Sequence, residues 1–343
     1  MEKTENRIFA LQALSHSYNM IGGYPGKAVP LYKLHVEQCE AVDDREKMAE
    51  GLANFGKGLR QSGNFREAEA MGMRGLVMQR EVGNRLKEAI NLYWVGMGLA
   101  HRGVDDGRPE IAMNRAIRIC ESLLADRSIA IVNSFLAQHY LWLGQPESAL
   151  EYAEKAWDSA VALEKSNHHN LNEVVMVLCA SARMCAEVAM HAGNYELAES
   201  KLNFVMQRCK DIDFVEEILP ALRVWAELER KRGDTESARI YLRQTWSLAE
   251  RGPFPLYNSD SYNTLARIEL GEGNREAAIE AANTAYRLAW CDGPPYAYQR
   301  GLDEALEVLN ALDQAPPDLP AYDNSRYSPI ADVALNPQDE FFS

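Results

Sequence analysis

Apolar residues recur along most of this chain at helical spacing, and the amphipathic stretches come in pairs split by a glycine. Residues 46–62 (EKMAEGLANFGKGLRQS) carry one stripe, Gly63-Asn64 interrupts it, and residues 65–79 (FREAEAMGMRGLVMQ) carry the next. The pattern predicts two helices joined by a tight turn, because glycine enters φ > 0 at a helix end without the strain a β-carbon brings. A glycine followed five residues later by an alanine occurs seven times, at Gly23/Ala28, Gly63/Ala68, Gly107/Ala112, Gly144/Ala149, Gly193/Ala198, Gly233/Ala238 and Gly273/Ala278. Successive glycines lie 40, 44, 37, 49, 40 and 40 positions apart. A step of this size predicts a stacked-repeat protein, in which each hairpin buries its apolar face against the next.

A second small position strengthens the register. Gly56, Ala137, Ala186, Ala226 and Ala266 each lie seven residues before a turn glycine, and Gly96 does so counted from Gly103. Small residues there predict two helices crossing closely. Residues 104–107 then form an insertion in the third turn, and the polar stretch 165–172 (KSNHHNLN) an inter-helix loop. After the seventh hairpin, Gly293-Pro294-Pro295 must break the helix. Residues 300–312 (RGLDEALEVLNAL) make a final amphipathic helix with a polar outer face, as a terminal cap requires. The expected organisation is an all-α solenoid over 1–314 and a Pro-rich acidic tail over 315–343. Tyr322, Tyr327, Phe341 and Phe342 are costly to expose, so the tail is expected to pack.

Composition changes the picture in one respect. The formal net charge is −14, which argues against nucleic acid and anionic membranes as partners. No secretory signal opens the sequence and no apolar run of spanning length is evident, so a cytoplasmic location is expected. The six cysteines sit in apolar helical stretches and are expected as reduced packing residues. Residues 51–58 (GLANFGKG) approach a phosphate-binding loop, but Gly58 stands where a hydroxyl is needed and no strand precedes it. His168-His169 have no further ligand at metal-binding spacing. No catalytic motif is found, and neither an enzyme activity nor a cofactor is expected.

The hairpin pattern, best seen in GNFREA (63–68), GNYELA (193–198), GQPESA (144–149) and GNREAA (273–278), resembles the tetratricopeptide repeat. The resemblance implies a right-handed superhelix of about seven hairpins with a capping helix. ALQALSHSYNMIGGYPGKAVPLY (10–32) and AYRLAWCDGPPYAYQRGLDEALEVL (285–309) further resemble the C-terminal sensor arrays of bacterial STAND-class NTPases. That resemblance implies a ligand-sensing array working with a nucleotide-switch and effector domain, in the same chain or another.

In such repeats the first helix of each pair lines the concave surface, at positions ten, six, three and two before the turn. Carried onto this chain, these give Lys57 and Arg60; Tyr93, Met97 and His101; Ser134, Gln138 and Trp142; Arg183, Glu187, Met190 and His191; Arg223, Glu227, Arg230 and Lys231; and Asn263 and Arg267. Seven are Lys or Arg and two are Glu, whereas the chain holds 36 Lys and Arg against 50 Asp and Glu. A basic groove in an acidic protein is therefore expected, suited to an acidic segment or a terminal carboxylate. The alternative is that these arginines are solvated or pair with Glu187 and Glu227 on neighbouring helices. The asparagine and lysine set of the chaperone-type carboxylate clamp does not fall at these positions.

The leading expectation is a non-enzymatic module that binds a protein or peptide in its groove as the sensor of a STAND-type NTPase. A stand-alone adaptor or peptide-signal receptor is the first alternative, and a self-assembling scaffold the second. The tail's Asp318, Asp323, Asp332, Asp339 and Glu340 raise the further possibility that the tail enters the basic groove.

Overall fold

A computed structural model describes residues 2–21, 23–166, 171–209 and 212–337. Among them are fifteen α-helices and no strand. They pair as α1 (Glu2–His16) with α2 (Pro25–Ala41), α3 (Arg45–Gln61) with α4 (Phe65–Glu81), and α5 (Arg85–His101) with α6 (Arg108–Ser122). Next come α7 (Asp126–Trp142) with α8 (Pro146–Lys165), α9 (Leu171–His191) with α10 (Tyr195–Cys209), and α11 (Val215–Arg232) with α12 (Thr235–Ala249). The last pair is α13 (Pro255–Gly271) with α14 (Arg275–Trp290), and α15 (Gln299–Ala311) covers its end.

The seven repeat glycines all lie at positive φ. Their turns close the preceding helix in one way: Gly63 N donates to Arg60 O (3.1 Å) and Asn64 N to Leu59 O (2.9 Å), with equivalent pairs at Gly144, Gly193, Gly233 and Gly273. Two otherwise orphaned carbonyls are thereby satisfied at each of these five turns, and Gly103 N and Val104 N do the same for Ala100 O and Leu99 O. Gly103 and Gly107 are both at positive φ, which accommodates the expected insertion between α5 and α6. The small positions lie where the helices cross. A β-carbon at Gly56 would come 3.1 Å from Ala68 O, and one at Gly96 would come 2.8 Å from Met113 Cγ. Gly51 and Gly58 belong to this packing too, facing His35 and Val29 from within α3, so residues 51–58 are helix and not a phosphate loop. His168 and His169 lie outside the described residues.

The superhelix closes on itself. The tips of the first three hairpins rest on residues of the sixth, the seventh and the capping helix. A β-carbon at Gly23 would lie 2.5 Å from Val215 Cγ1; one at Gly63, 2.9 Å from Pro255 Cγ; one at Gly103, 2.7 Å from Gln299 Cγ. The turn glycines at 144, 193, 233 and 273 meet nothing within 4 Å. Three glycines thus serve two ends, turning the chain and admitting the opposite side of the ring.

Two sequence expectations need correction. Helix α9 is long and apolar enough to cross a membrane, with mean hydropathy 1.5, yet 72% of that segment is buried in the fold. It is a core helix, and its Arg183 and Glu187 are ion-paired inside the protein. The tail does not enter the groove over its described part. It runs outside, along α14, α4 and α6. Trp290 Nε1 donates to Pro320 O (3.0 Å), Arg66 to Tyr322 Oη and Ser328 O, Arg80 to Ala334 O, and Arg118 to Asn336. Leu335, Ile330 and Val333 join the core beside Met73 and Leu76. Those apolar contacts and guanidinium donors lie on the second helices, which explains the route. Asp339, Glu340, Phe341 and Phe342 lie outside the described residues. The six cysteines are unbridged; Cys39, Cys120, Cys179 and Cys209 are fully buried.

Candidate ligand-binding cavity

Closure converts the concave face into an internal cavity of about 560 Å³. Lys57, Arg60, Tyr93, Met97, His101, Gln138, Trp142, Arg183 and Arg223 line it, as the repeat register predicts, with Ser134 beside them. His191, Glu227, Arg230 and Arg267 line a second space of about 200 Å³ with Met190 and Lys231, and Arg223 touches both. Two expected residues line neither. Glu187 is fully buried beneath the wall, where Arg223 Nη2 donates to both its oxygens at 2.9 Å. Asn263 is fully buried too and donates to Gly301 O at 3.0 Å, so it ties α13 to the capping helix.

One wall of the main cavity is aromatic. Trp94 and Phe135 pack with Tyr93 at ring separations of 5.3 and 5.7 Å, and His101 packs with Trp142 and Tyr298 at 5.1 and 5.7 Å. His101 Nδ1 bonds Met97 O at 2.6 Å. Burial, aided by the nearby charges of Arg60 and Arg300, pushes the imidazole down to about 3, so it is neutral at physiological pH.

The rest of the lining is charged but largely self-paired. Lys57 meets Glu216 at 3.0 Å, Arg183 meets Glu217 at 3.0 Å, and Arg223 meets Asp260 at 3.5 Å. Around the second space Arg230 forks onto Glu227 and Arg267 meets Glu304. Burial would raise Glu187, but Arg223, Arg300 and Arg183 outweigh it and bring the carboxyl to about 2. Asp260 goes the other way: burial lifts it to about 6 against the pull of Arg223 and Arg300, while Tyr298 donates to it at 3.0 Å. The expected basic groove is thus an ion-pair lattice with a residual positive bias. Ten Lys or Arg line the two spaces against six Asp or Glu.

Glu187 and Glu227 pair with the groove arginines, as the alternative had it; the further carboxylates Glu50, Glu216, Glu217 and Asp260 lie outside the expected positions for one geometric reason. Positions ten to two before the glycine cover only the last three turns of each first helix. The same stripe continues to thirteen and sixteen or seventeen residues before the glycine, which gives Glu50, Ile90 and Lys87, Ile131 and Arg127, Pro220, Glu217 and Glu216, and Asp260 and Tyr257. Position nine before it gives Asn54, Trp94 and Phe135. Extending the helical period would have found them. Phe9 and His16 lie on α1, the first helix of the first hairpin, but off the positions counted here, and Tyr298, beside α15, belongs to no repeat.

Five cavity-lining side chains hold buried polar atoms with no hydrogen-bond partner among the described residues: Arg60 Nε, Gln61 Oε1, Arg127 Nε, Trp142 Nε1 and Arg223 Nε. No group of three potential metal ligands occurs among those residues. The cavity lining presents aromatic faces, buried polar atoms without hydrogen-bond partners, and fixed charge.

No protein-family profile matches the sequence, and no curated protein is detectably similar to it. The fold does have solved counterparts. The Rap conjugation gene regulator of plasmid pLS20, in complex with the Phr* peptide, aligns over 91% of this chain and 74% of its own, with TM-score 0.59 and 15% identity. A Rap protein complexed with competence and sporulation factor aligns over 91% and 87%, with TM-score 0.53 and 15% identity. The apo quorum sensor NprR from B. thuringiensis aligns over 90% and 86%, with TM-score 0.50 and 14% identity. At such identities the likeness is one of architecture. The chain folds as a tetratricopeptide-like helical-repeat solenoid.

Proposed function

We propose that this chain is a binding module rather than an enzyme, and that it holds a short extended peptide inside the closed superhelix as a stand-alone peptide-signal receptor. The observation that carries the reading is the cavity. Its volume lies in the range of small-ligand sites, and its lining sets aromatic faces beside ordered charge. An extended peptide alternates its side chains, so one face can pack on Tyr93, Trp94 and Phe135. Its amide groups can answer the unpartnered Gln61 Oε1 and Trp142 Nε1. The ion pairs fix the charged side chains of the lining in place, which lowers the ordering cost of binding.

The fold neighbours support a receptor of this kind, since two are Rap proteins solved with a peptide or a signalling factor and the third is a quorum sensor. They favour it over the sensor array of a STAND-type NTPase. That second reading needs a nucleotide-switch domain acting with this chain, and finding one encoded with it would restore it.

Affinity selection from a pool of random heptapeptides tests the proposal, using immobilised wild type and Gln138→Trp, which plugs the cavity from α7. Retention by wild type that drops about tenfold or more in the plugged variant is expected. Equal retention would move recognition to the outer face. No retention at all would overturn the peptide reading.

A further inference from the structure

Burial of a guanidinium is tolerated when carboxylates or carbonyls answer it. The cavity obeys this rule at Arg183 and Arg223, each with its own acid, and at Arg127, which meets Glu173 at 3.4 Å. Lys87 likewise meets Glu50. Arg60 breaks it. Its side chain is 8% exposed, lines the cavity, and forms no ion pair or hydrogen bond among the described residues. Its guanidinium carbon lies over the face of Trp94, 5.0 Å from the ring centroid, and Lys57 shares that ring at 4.8 Å. The nearest acid of the lining, Glu216, is already engaged by Lys57 and by Gln61 Nε2 at 2.7 Å. A buried cation with no direct ion-pair or hydrogen-bond partner among the described residues, set against an aromatic plate on the cavity lining, is a half-built anion site.

We propose that Arg60 is the anchor for a carboxylate of the ligand, and that the ligand's adjoining apolar group lies along Trp94 and Phe135. The inference rests on the peptide reading above and adds to it the chemistry at one end. The carboxylate belongs either to the peptide's C-terminus or to an Asp or Glu side chain. Arg60 acts as a specificity determinant: the rest of the cavity holds the peptide, and Arg60 decides which peptides are held and in which direction. The repeat register places Arg60 on the groove but does not single it out. What does so is that its neighbours across the ring have found partners and it has not.

Three pools of random heptapeptides lacking Asp and Glu test this: one with a free C-terminal carboxylate, one amidated, and one amidated with a single Asp. Wild type, Arg60→Gln and Arg60→Lys are compared, with circular dichroism confirming that each variant folds. Wild type is expected to prefer a carboxylate-bearing pool over the plain amide by about tenfold or more. The preference should vanish in Arg60→Gln and return in part in Arg60→Lys. Preference for the free-acid pool assigns the chain end; preference for the Asp pool assigns a side chain. Equal retention of all three pools by wild type overturns the role of Arg60 and leaves the peptide reading standing. Retention of none overturns the peptide reading, and N-acetylphenylalanine against its amide then decides the anion site. A melting-temperature rise with the acid in wild type alone supports it; no rise, or the same rise in Arg60→Gln, overturns it.

Discussion

Lys57 Nζ lies 3.0 Å from Glu216 Oε1, across 159 residues of sequence, and both side chains are almost wholly buried. This pair joins the second hairpin to the sixth inside the cavity. Removing one member of a buried pair leaves a charge in low dielectric, whereas an exposed pair is screened by water. Glu216→Gln is therefore expected to cost about 3 kcal/mol in urea unfolding. Glu40→Gln, which breaks the exposed Arg74–Glu40 pair, should cost under about 1 kcal/mol. Similar losses for both would show that the ring closure contributes little.

The turn glycines offer a second contrast. Gly63 and Gly273 share the same backbone, at φ +81° and +80°, so alanine at either position carries about 1–2 kcal/mol of left-handed strain. At Gly63 the new methyl group also meets Pro255 Cγ at 2.9 Å and Cys291 Sγ at 3.0 Å. We expect Gly63→Ala to lose about 3 kcal/mol or more and Gly273→Ala about half that, read from urea midpoints. Equal losses would mean that the hairpin tips do not bear on the opposite side.

The tail spans from α14 to α4 and α6 and so ties late repeats to early ones. Deleting residues 315–343 should cost at least the roughly 2 kcal/mol contributed by burying Leu335 and should raise the radius of gyration in small-angle scattering. An unchanged radius would leave closure to the hairpin tips alone.

His101 sets an acid limb. Its imidazole titrates near 6.5 when unfolded and near 3 when folded, so the unfolded state binds the extra proton between those values. Stability from this group is intact above about pH 6.5 and falls as pH drops, by up to about 2 kcal/mol at pH 5. Asp260, raised to about 6 from 3.8, works in the opposite direction over pH 4 to 6. The clean readout is a difference: wild type relative to His101→Phe should weaken by up to about 2 kcal/mol between pH 7 and pH 5. A pH-independent difference would show that His101 takes up its proton in the folded state.

The fold was legible because one structural device, a left-handed turn followed by a close helix crossing, recurs at fixed spacing and demands glycine and small residues each time. The turns between hairpins left no such trace. Those at Asp43, Gly83, Leu124 and Asp213 also lie at positive φ but use three different residue types at four turns. In the site, Tyr93, Gln138 and Trp142 were legible from the helical register. The pairing of Arg183 with Glu217, and of Lys57 with Glu216, was not, because each joins separate hairpins and depends on superhelical curvature. The tail's route was hidden for the same reason: its partners Arg66, Arg80 and Arg118 are ordinary exposed-face residues in sequence terms.

Backbone hydrogen exchange, read by mass spectrometry with and without a saturating pool of free-acid heptapeptides, tests most directly whether the inner face is the binding surface. Slower exchange concentrated in α3, α5, α7 and α13, whose side chains line the cavity, is the expected result. Slowing confined to the outer helices α6, α8 and α10, or none anywhere, would contradict it.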